Sequence, residues 1–202
     1  MGSDPRRLEG LRADEQVAAR LVERATGATA RAHDVGHRQG AYDVHLTYPG
    51  GRTAALEVTT HAGAASRNGM VLLGRDRLAR PTSTQRPPPS SPPASDPSPV
   101  TDPVLTALPD AVSDLLVEPH VARRAAKVAG AGRVDERHLF IGIAEGGLPQ
   151  GLYQRLSAPL GPLPLAPPEV PDGLTHLWLT TEWPGSPLIG WRRDQGWHAY
   201  QV

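Results

Sequence analysis

The chain has 202 residues, with 21 basic and 21 acidic side chains and no cysteine. That length allows one domain with a sizeable core, or a domain plus unstructured sequence. The balanced charge excludes a global field that draws the protein to nucleic acid or membrane, and the absence of cysteine excludes disulfides, thiolate metal sites and cysteine nucleophiles.

The start, MGSDPRRLEG, is polar and lacks the apolar core of a secretory signal. No apolar run approaches the roughly 20 residues of a membrane span. A cytoplasmic protein without a membrane partner is the expectation. Residues 13 to 26, ADEQVAARLVERAT, carry apolar positions at helical spacing, with Asp14 and Glu15 in the first turn and Gly27 after the end. Residues 28 to 33 form a candidate short strand. HDVGHRQG follows as a loop. His33 and His37 are spaced as zinc ligands on a helix would be, but Gly36 and Gly40 argue for a polar loop instead.

The stretch AYDVHLTYPGGRTAALEVTT, residues 41 to 60, reads as two strands around a turn. Val44, Leu46 and Tyr48 alternate with polar residues, and Leu56 and Val58 alternate with Glu57 and Thr59. Pro49, Gly50 and Gly51 supply turn chemistry. A loop of those three residues sets position 43 opposite position 57, and opposed side chains on one face sit roughly 5 Å apart. Two carboxylates so placed repel unless a cation or proton lies between them. Asp43 and Glu57 are therefore candidate ligands for magnesium or manganese, which take oxygen donors. The alternative is an exposed strand face whose acids are merely solvated.

From Pro81 to Pro109 the chain holds ten of its 22 prolines, spaced by serine and threonine. Such a segment has too little apolar surface to offset its ordering entropy. Residues 61 to 109 are thus expected to be a proline-rich, disordered insertion between a first part, 1 to 60, and a second part, 110 to 202, of one domain. PPPSSPP within it offers a polyproline ligand for a protein partner. Beyond it, Val112, Leu115 and Leu116 predict a helix that Pro119 kinks or restarts, ending at Gly130. RHLFIGI at 137 to 143 is a continuous apolar run, as in a buried central strand. Residues 148 to 157 read as a short helix, 173 to 181 as a strand, and PLIGWRR with GWHAYQV as a closing hairpin. His138 and His176 read as strand-end histidines, and the four tryptophans as packing residues. The arginine clusters near 6 to 12, 75 to 80 and 123 to 127 can each meet phosphates or simply be solvated.

The order helix, strand, strand with Asp, strand with Glu-x-Thr, helix, strand resembles that of the restriction-endonuclease-like, or PD-(D/E)xK, superfamily. The likeness rests on YDV at 42 to 44 and LEVTT at 56 to 60. The chain also resembles a set of actinobacterial proteins in which (Y/H)D and A(L/V)EVT strands precede RHLF-type and T-H-hydrophobic-W strands, as at 137 to 140 and 175 to 178 here. This likeness covers residues 13 to 60 and 111 to 200, not the middle. It implies an α/β fold with a mixed sheet flanked by helices, Asp43 and Glu57 as ligands of magnesium or manganese, and DNA as substrate. Glu15 or Glu23 would be the accessory acid that some members use. The superfamily lysine two residues after the glutamate, which steadies the attacking water or the developing charge, is replaced by Thr59. Variants carry that lysine on another element, and Lys127, the only lysine in the chain, is the sole candidate. The expected catalytic set is Asp43, Glu57, Thr59 and Lys127. The alternative is an inactive module of the same fold that binds nucleic acid or protein, and a third reading is an interaction protein that works through the proline-rich segment.

Overall fold

The computed structural model describes residues 5–33, 42–61, 102–158, 160–181 and 186–201. The proline-rich stretch up to residue 101, the loop residues 34 to 41 including His37, and Trp183 lie outside them.

Helix α1 spans Ala13–Thr26. Glu15 reaches back from its first turn to the Arg12 backbone N–H at 2.8 Å, satisfying a donor that the helix leaves open. Gly27 ends the helix in the left-handed region, with φ of 71°, and its N–H bonds to the Glu23 carbonyl. Strands β1 (Thr29–Ala32), β2 (Val44–Thr47) and β3 (Thr53–His61) follow. A 3-10 turn at Leu105–Ala107 leads into α2 (Leu108–Val117) and α3 (Pro119–Ala129). Residues 102 to 109, placed by the sequence in the insertion, are described, and Leu105 and Leu108 among them are fully buried. Pro119 stands at the first position of α3, where its missing N–H costs nothing, and Glu118 before it is extended. It restarts the helix and does not kink it. The remaining elements are β4 (Glu136–Ile143), α4 (Gln150–Leu156), β5 (His176–Thr181), β6 (Leu188–Arg192) and β7 (Gly196–Tyr200).

All seven strands form one open mixed sheet in the order β1 to β7. Pairing is antiparallel from β1 to β3, parallel from β3 through β5, and antiparallel again to β7. Parallel neighbours need crossovers. Helices α2 and α3 make the first and α4 the second, and residues of all three join a core with Ala55, Leu139, Ile141, Leu177 and Leu179 on one sheet face. Helix α1 covers the other face, where Val17, Ala18, Leu21 and Val22 pack with Leu46, Leu56, Val58 and Phe140. Strands β3 to β5 are buried on both faces, which explains why RHLFIGI is continuous where β2 alternates. Where Gly190 lies against the rings of Trp178 and Tyr200, an added Cβ would come within 2.8 Å and 2.9 Å of them. Among the described residues, no helix is long and apolar enough to cross a membrane.

Candidate functional site

The turn at Pro49 to Gly51 sets the register of β2 on β3. Tyr48 and Arg52 close it with a backbone bond, and Val44 lies opposite Leu56. Asp43, in the bend just before β2, therefore comes level with Glu57, as the alternation implies. One oxygen of Asp43, Oδ2, accepts the Val58 N–H at 2.8 Å, which fixes the carboxylate against β3. Glu57 is fully buried in the middle of β3, on the face covered by α3.

Helix α3 supplies the countercharges. Val121, Ala125 and Val128 bury its apolar stripe, and this docking turns Arg124 and Lys127 toward β3. Arg124 donates to Glu57 Oε1. Lys127 Nζ lies 3.0 Å from Glu57 Oε1, 2.9 Å from Oε2 and 3.7 Å from Asp43 Oδ1. Those contacts bring an oxygen of each carboxylate to the same ammonium and keep the two less than about 8 Å apart. Lys127 thus stands beside both acids. Thr59 is buried two residues after Glu57, on the same face of β3, and carries no charge.

Burial pushes the Glu57 carboxyl above its ordinary pKa, and the neighbouring Asp43 charge adds to this. Hydrogen bonds from Lys127 and Arg124 oppose the rise without cancelling it. Glu57 Oε2 is within ion-pair distance of Lys127 but has no aligned hydrogen-bond donor. Asp43 Oδ1 has Lys127 at 3.7 Å and Arg124 at 3.9 Å. Carboxylate oxygens are the donor class that magnesium takes, and here Lys127 contacts both acids. Of the two helical acids, Glu23 is engaged with Arg7 and the Ala30 N–H. Glu15 pairs with Arg12, and its charge also acts on Arg124: burial disfavours that guanidinium's charge, but Glu57 first, then Asp43 and Glu15, outweigh it. At the far end of β3, the His61 and His120 rings stack at 5.2 Å.

A second buried group occupies the opposite sheet face. Glu136 and His138 on β4 and His176 on β5 bring potential ligand atoms within 4.8 Å of one another, and the trio can hold a metal ion. Its residues enter in parallel register, with His138 level with His176. Glu136 is held down at about 2, chiefly by the hydrogen bond from His138; burial opposes this and Tyr48 assists. Burial keeps His138 neutral and lowers His176 to about 2. The sequence reading missed this group. The Glu-x-His spacing on one strand was legible, but no local signal says which later strand pairs with β4. His33 and His45 gather around Tyr42, which stacks on His33 at 4.2 Å and bonds His45 at 2.8 Å, and this is an aromatic contact rather than a ligand set.

No protein-family model, curated protein or solved structure matches this chain.

Proposed function

We propose that Asp43, Glu57 and Lys127 form a magnesium-dependent site for phosphodiester hydrolysis on DNA, of the restriction-endonuclease-like type. The observation that carries this reading is the placement of the chain's single lysine. It comes from α3, 70 residues after Glu57, and meets both acids at the distances given above. The order of α1, three antiparallel strands, a helical crossover and a parallel β4 supports the same reading.

Each residue has a task that follows from its chemistry. Asp43 Oδ1 and Glu57 Oε2 are the oxygens open to a hard cation. Magnesium, when bound there, supplies charge neutralisation and a more acidic water. Lys127 holds a positive charge where the attacking water and the developing negative charge would lie, the role that the Thr59 hydroxyl cannot fill. Arg124, with a side chain 37% exposed, offers a planar fork to a phosphate at the solvent edge. Fold likeness does not establish activity, so the reading stands on these atoms.

A second reading has one observation in its favour. Glu57 is completely buried and already carries two cations, which describes a closed ion-pair lock in a non-catalytic binding module. Magnesium titration separates the two. A magnesium site raises the melting temperature of the wild type, by an amount equivalent to about 2.7 kcal/mol at a hundred times Kd. Asp43→Asn abolishes that rise and magnesium-dependent DNA cleavage, and Lys127→Met abolishes cleavage. A wild-type melting temperature unmoved by magnesium or manganese, with no cleavage, leaves the lock as the function of these residues.

A further inference from the structure

We propose that Glu136, His138 and His176 form a second site, for a borderline divalent ion of the zinc class, and that the Trp178 indole competes with the ion for His138. The site is separate from the acidic one and independent of the reading given above. All three residues are buried, His138 completely, with the Glu136 side chain 11% and the His176 side chain 6% exposed. Two imidazole nitrogens and one carboxylate oxygen suit zinc, cobalt or nickel, whereas magnesium prefers oxygen alone.

Two of the three ligands are preset. Thr175 Oγ1 makes three close contacts: the Arg137 N–H at 2.8 Å, the Arg137 carbonyl at 3.0 Å and His176 Nδ1 at 2.9 Å. The hydroxyl has one proton to give. Donating it to the carbonyl and accepting from both nitrogens puts one proton in every contact. His176 then carries its proton on Nδ1, and its Nε2 lone pair is free. That lone pair faces Glu136 Oε2 at 4.0 Å with no proton between them, and an ion bonded to both at about 2 Å with a tetrahedral angle would draw the two closer. Glu136 is preset by Arg52, which holds Oε1 at 3.0 Å and leaves Oε2 toward the two rings. Such outer partners orient ligands in metal sites.

His138 is set the other way. The indole N–H of Trp178 can only donate, and it donates to His138 Nδ1 at 3.1 Å. The ring proton therefore sits on Nε2 and points at Glu136 Oε2, 3.2 Å away. For Nε2 to ligate, that proton must transfer to Nδ1 of the same ring, and the Trp178 N–H then meets a donor and loses its acceptor. Without metal, Trp178, His138 and Glu136 form a hydrogen-bonded chain that leaves His176 Nε2 without a donor; with metal, Trp178 must move. Two cations lie near the trio: Arg52, whose side chain is 61% exposed, and Arg192, which pairs with Asp194 and is 26% exposed, its Nε buried.

The test is a titration of the untagged full-length chain with zinc by calorimetry and with cobalt by visible absorption, following tryptophan fluorescence in parallel. One equivalent is expected to bind, with cobalt bands of a nitrogen–oxygen site and a change in indole emission. Asp43→Asn leaves this binding unchanged, whereas His176→Asn and Glu136→Gln abolish it. Thr175→Val, which releases the His176 tautomer, weakens binding roughly tenfold. Trp178→Phe removes the competitor and tightens it roughly tenfold, the worth of about one hydrogen bond. Absence of binding in the wild type overturns the proposal, as does a cobalt band that persists in His176→Asn. Unchanged affinity in Thr175→Val overturns the preset ligand, even if Trp178→Phe does not fold.

Discussion

Two buried glutamates sit on opposite faces of one sheet, three residue positions apart along the paired strands: Glu57 is level with Leu139 on β4, the strand on which Glu136 lies. Both lose water, yet their acidities move in opposite directions. Glu57 is pushed up by burial and by Asp43, although Lys127 and Arg124 touch it. Glu136 is held at about 2 by the His138 hydrogen bond, against burial. What separates them is depth and company. Glu57 has no exposed surface and a like charge beside it, whereas Glu136 lies near the strand end, with Arg52 and Tyr48 at its rim. A buried carboxylate with a raised pKa and a spare oxygen is suited to take a cation. One that is fed by donors keeps its charge, as a carboxylate ligand of a zinc-class ion also must.

The comparison breaks most sharply at Lys127. Lys127→Ala leaves the fully buried Glu57 with Arg124 alone, and the loss of one partner of a buried pair is expected to lower unfolding stability at neutral pH by about 3 kcal/mol. Urea denaturation measures this. The deficit is expected to shrink in acid, because a protonated Glu57 no longer needs the cation.

The pH dependence sharpens it further. Glu57 has a raised folded-state pKa, so its contribution is most favourable below the ordinary value of 4.5 and falls as pH rises through the folded value. Glu136 has a lowered one, so its contribution is complete above 4.5 and is lost as pH falls toward about 2. Stability curves from pH 2.5 to 8 should therefore separate the two: Glu57→Gln removes a loss on the alkaline side of 4.5, and Glu136→Gln removes a loss on the acid side. Slopes of the same sign for both would show that the two environments do not differ as described. The smallest effect is expected at Arg52. Its side chain is 61% exposed, so Arg52→Ala should cost under about 1 kcal/mol at neutral pH, far less than Lys127→Ala.

Most of the fold was legible because its signals are local. The spacing of apolar residues from 13 to 26, the alternation in β2, the turn at Pro49 to Gly51 and the apolar run of β4 each need only a dozen neighbouring residues to read, and each element forms there. The turn fixed the pairing of Asp43 with Glu57 as well, because the length of a hairpin loop sets its register. The part played by Leu105 and Leu108 was less legible, since it shows only when they are packed against other elements.

The sequence by itself set the two acids of the hairpin opposite each other, and the family resemblance pointed from there to Lys127, the only lysine in the chain. Tertiary structure decided the rest. The docking of α3 against β3 chose Arg124 and Lys127, and not Arg123, as the partners of Glu57. The parallel pairing of β4 with β5 made Glu136, His138 and His176 a group. The reason is one of range. Periodicity and turn chemistry act over a few residues, whereas the energy of a buried charge depends on every group brought near it, whatever its distance along the chain.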